Sequence, residues 1–444
     1  MKEYIAKTMP QQIADLQSLV RIPSVSRGDP AEADKPFGKT VSEALTEALA
    51  IAKRLGFERV WDIDGRCGVV EYGEGDEILG VLAHLDVVPA GEGWTVAPFG
   101  AEIKNDRIYG RGTLDDKGAA VSALYALDAV KHSGASFWRR VRIILGCDEE
   151  IGSLGVERYL EVEGEPAMAF TPDAEYPVVN SEMGILQATY RKAFPCSLGI
   201  ACGSASNVIP GVVTAALPCA AKVIPALEGV QADYSGNTIT VTGRGGHASM
   251  PEFAQNALTA LLQILAQQPL DAETLAVCKG LAALWARDLH GEHLGIDASD
   301  ASGRLTHSPD VLHADETGVS FICDCRHPFS AKADDLLAAW DNAYGALGFA
   351  RTDATVKPGH FIAADSELVS TLMAVYNEAM GVESKPISMG GGTYARDMKN
   401  AVAFGIVREG EESQCHMPDE SVSLEDLRFN TCVMAEAIRR LATR

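Results

Sequence analysis

Apolar positions fall into two regimes along the chain. Near the start they recur at helical spacing from Met9 through Val20 and again over Val41–Leu55, which predicts two amphipathic helices. Short β-type runs follow. Leu79–Ala83 ends at His84, Val141–Leu145 ends just before Cys147-Asp148-Glu149-Glu150, and Ala167–Phe170 ends before Thr171-Pro172-Asp173. Between the first two lies Gly118–Val130, an Ala/Leu-rich stretch that reads as a core helix. Strands that are apolar throughout and separated by helices indicate a sheet covered on both faces. In such sheets the chemistry collects beyond the carboxyl ends of the strands, where each of these polar clusters falls.

From about Met183 the pattern changes. Gln187–Lys192 and Thr238–Thr242 alternate apolar with polar residues, and long helical stretches such as Glu252–Gln267 separate such strands. Alternation of period two marks a half-exposed antiparallel sheet, so the middle reads as an α+β module. After about Lys357 the first regime returns, with a helix over Ser366–Met380, a strand at Ala401–Phe404 and a helix over Leu424–Leu441. The expected fold class is α/β. One domain, residues 1–181 and 357–444, carries a mixed, mostly parallel sheet flanked by helices, and an inserted α+β domain, residues 182–356, interrupts it.

Composition narrows the function. Of 444 residues, 47% are hydrophobic and 22% charged, which is ordinary globular usage and excludes disorder, collagen and coiled coil. With 38 Lys+Arg against 61 Asp+Glu the formal charge is −23, so neither nucleic acid nor an anionic membrane is expected as the main partner. Ten scattered cysteines, with only Cys323 and Cys325 close together, match no zinc-ribbon or redox motif and read as reduced core residues. The first residues mix charges and lack the apolar stretch of a signal peptide, and no run is long and apolar enough to span a bilayer. A cytoplasmic location is the expectation.

The candidate chemistry sits at five separated places: His84-Leu85-Asp86, Asp115-Asp116, Glu149-Glu150, Asp173 and His416. A single histidine after a strand, or a single acidic pair, is most often solvated loop. Carboxylates set among glycines and apolar residues, as in Gly110-Arg-Gly-Thr-Leu-Asp-Asp-Lys-Gly118, are poorly placed for that. Together the five suit a pair of cations sharing one carboxylate and activating a water. Mixed imidazole and carboxylate donors suit Zn²⁺, with Mn²⁺ or Co²⁺ possible. Asp86 is spaced to hydrogen-bond the second imidazole nitrogen of His84. Adjacent glutamates in an extended segment point apart, so one can bind metal while its neighbour serves as general base.

The segments Gly80–Pro89, Gly110–Gly118, Asp148–Ser153, Thr171–Ala174 and Gly245–Ser249 resemble the M20 family of binuclear zinc peptidases. Gly390-Gly-Gly-Thr-Tyr-Ala-Arg396 and the large middle insertion resemble its dipeptidase V branch. The resemblance implies that His84, Asp115 and Asp173 hold one of two zinc ions and that Asp115, Glu150 and His416 hold the other. Asp115 would then bridge, with a cis Asp115–Asp116 peptide. It makes Asp86 the residue orienting His84 and Glu149 the general base and acid. The inserted domain becomes a lid, whose His247 meets the oxyanion with help from Asn207. Arg326 and the Gly390–Gly392 amides, Gly391 and Gly392 among them, would take the substrate's C-terminal carboxylate, a role suited to a guanidinium fork. One departure is visible: Arg326 is flanked by Cys325 and His327, where such proteins more often show an apolar residue and Tyr.

The implied activity is hydrolysis of the peptide bond of short peptides by a water bridging the ions, in a chain that acts as a monomer in preference to a homodimer. A deacylase or desuccinylase of N-acyl-amino acids shares the metal cluster and is the rival within hydrolases. A catalytically silent binding protein is the rival outside them, and it would be expected to lack Glu149 or a bridging ligand. Neither a Gly-x-Ser-x-Gly elbow nor a His-Glu-x-x-His motif occurs, which removes the commonest serine-hydrolase and single-zinc readings.

Overall fold

The computed structural model describes residues 1–27, 35–203, 205–225, 227–411 and 413–444. Within it the chain divides into two compact units. The first comprises Met1–Asn180, Ile362–Ile387 and Gly392–Arg444, and the second Ser181–Phe361 with Ser388–Gly391.

The first unit is α/β. Strands Arg140–Gly146, Ile78–His84, Met168–Thr171 and Ala401–Ala403 run parallel at the heart of its sheet, and Arg59–Ile63 and Cys67–Tyr72 add an antiparallel edge. The parallel strands are buried almost throughout, which explains their unbroken apolar runs. Helix Lys117–His132 is buried along nearly its whole length, packed against helices Lys2–Val20 and Leu424–Ala442 and the central strands. The first helix begins at Lys2, a full two turns earlier than its apolar spacing suggests, and takes Pro10 inside it. Burial of Ile5 and a 2.7 Å hydrogen bond from the Tyr4 hydroxyl to Asp128 extend its packed face backwards.

The second unit is α+β. Eight of its described strands form one antiparallel sheet, in the order Gln231–Ser235, Thr238–Thr242, Val212–Ala216, Gly199–Cys202, Thr306–Asp315, Gly318–His327, Gly184–Ala193 and Ala350–Lys357. Within Gly184–Ala193, residues 184–190 alternate buried with half-buried positions as the sequence pattern requires. The core gathers Trp285, Phe321, Trp340 and Tyr344 between this sheet and helices Ala272–Trp285 and Ala333–Gly345.

The helix expected over Glu252–Gln267 is shorter. Pro251–Phe253 makes a single 3₁₀ turn, Gln255 exchanges both backbone hydrogen bonds with Arg244, and the α-helix runs only from Ala257 to Leu265. The Asn256 side chain accepts from the Leu258 and Thr259 amides, and this cap starts the helix at Ala257. None of the ten cysteines is in a disulfide, and seven are buried. Among the described residues no helix is long and apolar enough to cross a membrane.

Candidate metal centre

Six side chains from five stretches of the first unit meet beyond the carboxyl ends of its parallel strands. His84 is the last residue of Ile78–His84. Glu149 and Glu150 follow Arg140–Gly146, and Asp173 stands two residues past Met168–Thr171. Asp115 lies just ahead of helix Lys117–His132, and His416 lies in the loop that leads to the strand Ser421–Ser423.

Hydrogen bonds and close packing set several of these positions. The loop before Lys117 is closed so tightly that a Cβ on Gly118 would sit 2.0 Å from the Thr113 carbonyl oxygen, which only glycine avoids. The Asp115–Asp116 peptide is cis, and the Asp116 carboxylate accepts the His84 amide at 3.0 Å. Asp148 accepts the amides of Leu154 and Gly155 at 2.8 and 3.0 Å, capping helix Leu154–Glu163 and winding up the segment that carries the two glutamates. The Asp86 carboxylate, expected to orient His84, stands 3.4 Å from its Nδ1, while the backbone carbonyl of Asp86 is nearer at 3.0 Å. That carboxylate also accepts the amides of Glu149 and Glu150 at 3.1 and 3.2 Å and the Ser26 hydroxyl at 2.8 Å. Asp86 therefore couples the His84 strand to the glutamate loop.

Asp115 sits between two imidazoles. Its Oδ1 is 2.9 Å from His84 Nε2, and its Oδ2 is 3.1 Å from His416 Nε2. Glu150 is 3.2 Å from the same His416 nitrogen, and Asp173 is 3.6 Å from His84 Nε2. The adjacent glutamates join different groups, Glu149 with His84 and Asp173, and Glu150 with His84 and Asp115.

This arrangement fits cations. A carbonyl oxygen only accepts, so the contact with Asp86 keeps the proton of a neutral His84 on Nδ1 and aims the Nε2 lone pair at the carboxylates. A lone pair and carboxylate oxygens this close repel unless a proton or a cation lies among them. Donor atoms held about 2.0–2.2 Å from a tetrahedral ion stand roughly 3.3–3.6 Å apart, close to the separations seen here. The electrostatics agree. Burial, and then the neighbouring Asp115 charge, push Asp173 up to about 7. Burial followed by Asp173 raises Glu149 well above the usual carboxylate range. Asp115 moves the other way: burial opposes its ionisation, but hydrogen bonds to His416 and His84 outweigh it. His416 is held up at about 10 by Asp115 and Glu150. Excess buried negative charge of this kind is what divalent ions neutralise.

The remaining candidates lie in the second unit, apart from Gly392. Asn207 and His247 are brought together: Val208 pairs with His247 in a two-stranded ladder, and the Ala248 amide donates to the Asn207 carbonyl at 3.0 Å. The Ser249 amide donates to His247 Nδ1 at 3.1 Å, which places the ring proton of the neutral, exposed imidazole on Nε2. Arg326 departs from expectation. Its Nε and Nη2 pair with the Asp324 carboxylate at 2.8 and 3.1 Å, and its Nη1 donates to the Gly390 carbonyl at 2.9 Å. At 4% exposure, three of the five N–H groups of the fork are committed inside its own unit. Gly391 belongs to the second unit and Gly392 to the first, where a Cβ on Gly392 would run into the Arg396 guanidinium. Glu420, which the sequence reading missed, is fully buried and accepts the Asp115 amide at 3.1 Å.

Residues 80–440 match the description Peptidase family M20/M25/M40. The chain is 35% identical over 452 residues to YtjP of Bacillus subtilis (strain 168), spanning 97% of each protein. It is 32% identical over 450 residues to the Beta-Ala-Xaa dipeptidase of Lactobacillus delbrueckii subsp. lactis, spanning 97% of this chain and 95% of that one. Among solved structures, the di-peptidase Dug1p of Saccharomyces cerevisiae shares the fold, with a TM-score of 0.62 at 12% identity over 99% of this chain and 97% of its own.

Proposed function

The chain belongs to peptidase family M20/M25/M40, and from that membership we propose that it is a metal-dependent dipeptidase whose centre is the His84–Asp115–His416 cluster. The observation that carries this reading is the Asp115 carboxylate, with one oxygen on each imidazole. His84, Asp115 and Asp173 would hold one ion, and Asp115, Glu150 and His416 the other. The donor set of two imidazoles and three carboxylates suits Zn²⁺, with Mn²⁺ or Co²⁺ able to replace it. When bound, such a pair of ions supplies Lewis acidity to the scissile carbonyl and lowers the pKa of water.

The protein's own groups do the rest. Asp86 fixes the backbone of Glu149, so that a Glu149 carboxylate oxygen can take the proton of the attacking water as its oxygen bonds to the carbonyl carbon. Glu149 then returns that proton to the amide nitrogen as the C–N bond breaks, releasing the free amine. His247, with its proton on Nε2, is the donor we assign to the oxyanion, with Asn207 beside it and the second unit acting as a lid. Arg326, engaged by Asp324, supports the Gly390–Gly392 backbone offered to the substrate carboxylate. Seven buried, unpaired cysteines suit a reducing compartment, so we place the enzyme in the cytoplasm.

Metal-stripped protein is expected to be inert on a panel of dipeptides and N-acyl amino acids and to regain dipeptide hydrolysis on adding back Zn²⁺, Mn²⁺ or Co²⁺. Restored activity on acylated amino acids alone would make it a deacylase. The His247→Ala variant is expected to lose about 10²–10³-fold in kcat, the range for one oxyanion donor, while keeping its ions. Turnover at the wild-type rate would remove His247 from the mechanism.

A further inference from the structure

Two of the proposed ligands, Asp115 and His416, are carried on loops and not on strand ends. His416 has φ +64° and Asp419 φ +58°, left-handed turns in a loop without regular structure. A reciprocal grip ties this loop to the one that carries Asp115. Glu420, four residues after His416, accepts the amides of Gly112, Leu114 and Asp115 on one carboxylate oxygen, at 3.0, 2.9 and 3.1 Å. Its other oxygen meets Arg111 Nη1 at 2.6 Å. Arg111, four residues before Asp115, reaches back to the loop of Glu420, donating to the carbonyls of Met417 and His416 at 3.3 and 3.2 Å and to that of Ala90 at 3.2 Å. The Gly110 amide donates to the Glu420 carbonyl at 2.9 Å. Arg111 and Glu420 are 1% and 0% exposed, so neither touches substrate, and the mechanism above uses neither.

We propose that Arg111 and Glu420 form a clasp of positioning residues that sets the spacing between Asp115 and His416 and thereby the affinity of the ion held by Asp115, Glu150 and His416. The inference rests on the binuclear reading given above. The geometry makes the effect selective. His84 and Asp173 are placed by strands Ile78–His84 and Met168–Thr171, whereas His416 has only its loop. Loosening the clasp therefore weakens one ion more than the other. A carboxylate with four buried donors is over-determined, which is what a ligand loop without regular structure needs to hold its metal geometry.

The test is titration of the metal-free full chain with Co²⁺, followed by its visible absorption, for the wild type, Arg111→Lys and Glu420→Gln. Arg111→Lys keeps a cation beside the buried Glu420 while losing the forked reach to the His416 and Met417 carbonyls, so it decides the matter if Glu420→Gln fails to fold. The wild type is expected to take up two ions. Arg111→Lys is expected to bind the first within about threefold of wild-type affinity and the second at least tenfold more weakly, with kcat recovering as Co²⁺ is raised. Two ions bound at wild-type affinities, or both weakened alike, would overturn the clasp. A wild-type chain that takes up fewer than two ions would overturn the binuclear reading and the clasp with it.

Discussion

Replacing Asp115 with alanine is expected to strip the protein of both ions and to lower peptide hydrolysis by at least about 10⁴-fold, which corresponds to about 5.5 kcal/mol of lost transition-state stabilisation. The size follows from the position of this one carboxylate. Its two oxygens face His84 Nε2 and His416 Nε2 at 2.9 and 3.1 Å, so a single truncation removes a donor from each half of the site. No other proposed ligand is shared in this way, and removing Asp173 or Glu150 should cost one ion first. The fold should survive, because Glu420 grips the backbone amide of residue 115 whatever its side chain. Metal analysis after dialysis, together with a dipeptide assay, checks both halves of the expectation. A variant that kept two ions per chain would end the bridging role of Asp115. The Asp115→Asn variant refines the result: an amide offers one carbonyl oxygen, so it should retain at most one ion.

Much of this centre was legible because its residues follow buried parallel strands, and such strands announce themselves as unbroken apolar runs. Ile78–His84 and Arg140–Gly146 extend the expected runs by one residue at each end, and Met168–Thr171 is the expected Ala167–Phe170 run shifted by one residue. His84, Glu149, Glu150 and Asp173 stand out as polar residues directly after such runs, where nothing local calls for them. The residues that hold the ligands in place were harder to see. Arg111 and Glu420 lie 309 positions apart, and nothing in either neighbourhood announces that one will meet the other. The double duty of Asp86, accepting two amides from the glutamate loop, is likewise a fact of tertiary packing.

Other misses had a signal. Asp324 and Arg326 sit two apart in the strand Gly318–His327 and so share a face, which makes their ion pair readable from the sequence. Asn256 ahead of Ala-Leu-Thr is a strong cap, and it marks a helix start that helical periodicity over Glu252–Gln267 hides. In both places a local rule was overridden by a broader pattern: family resemblance in the first and hydrophobic spacing in the second.

Glu149→Gln is expected to lower kcat on the order of 10³-fold with little change in KM and both ions retained. The substitution keeps size and shape, and it keeps the amide of residue 149 on Asp86 at 3.1 Å, so the loop and the metal ligand Glu150 should stay where they are. What disappears is a carboxylate able to accept a proton from water and hand it to the leaving nitrogen, a contribution of about 10²–10⁴-fold in general acid–base catalysis. The geometry also admits a competing role. A donor atom from each of His84, Glu149 and Asp173 lies within 4.8 Å of the others, close enough for Glu149 to bind an ion itself. The two roles separate cleanly in one measurement. A proton carrier can be lost without loss of metal, whereas a ligand cannot be replaced by a weakly donating amide without weakening its ion. If Glu149→Gln loses an ion in step with its activity, Glu149 is a ligand and the proton must travel by another group. If it keeps both ions and is still slow, and Glu150→Gln loses one, the adjacent glutamates divide the work as their places in two different ligand groups suggest.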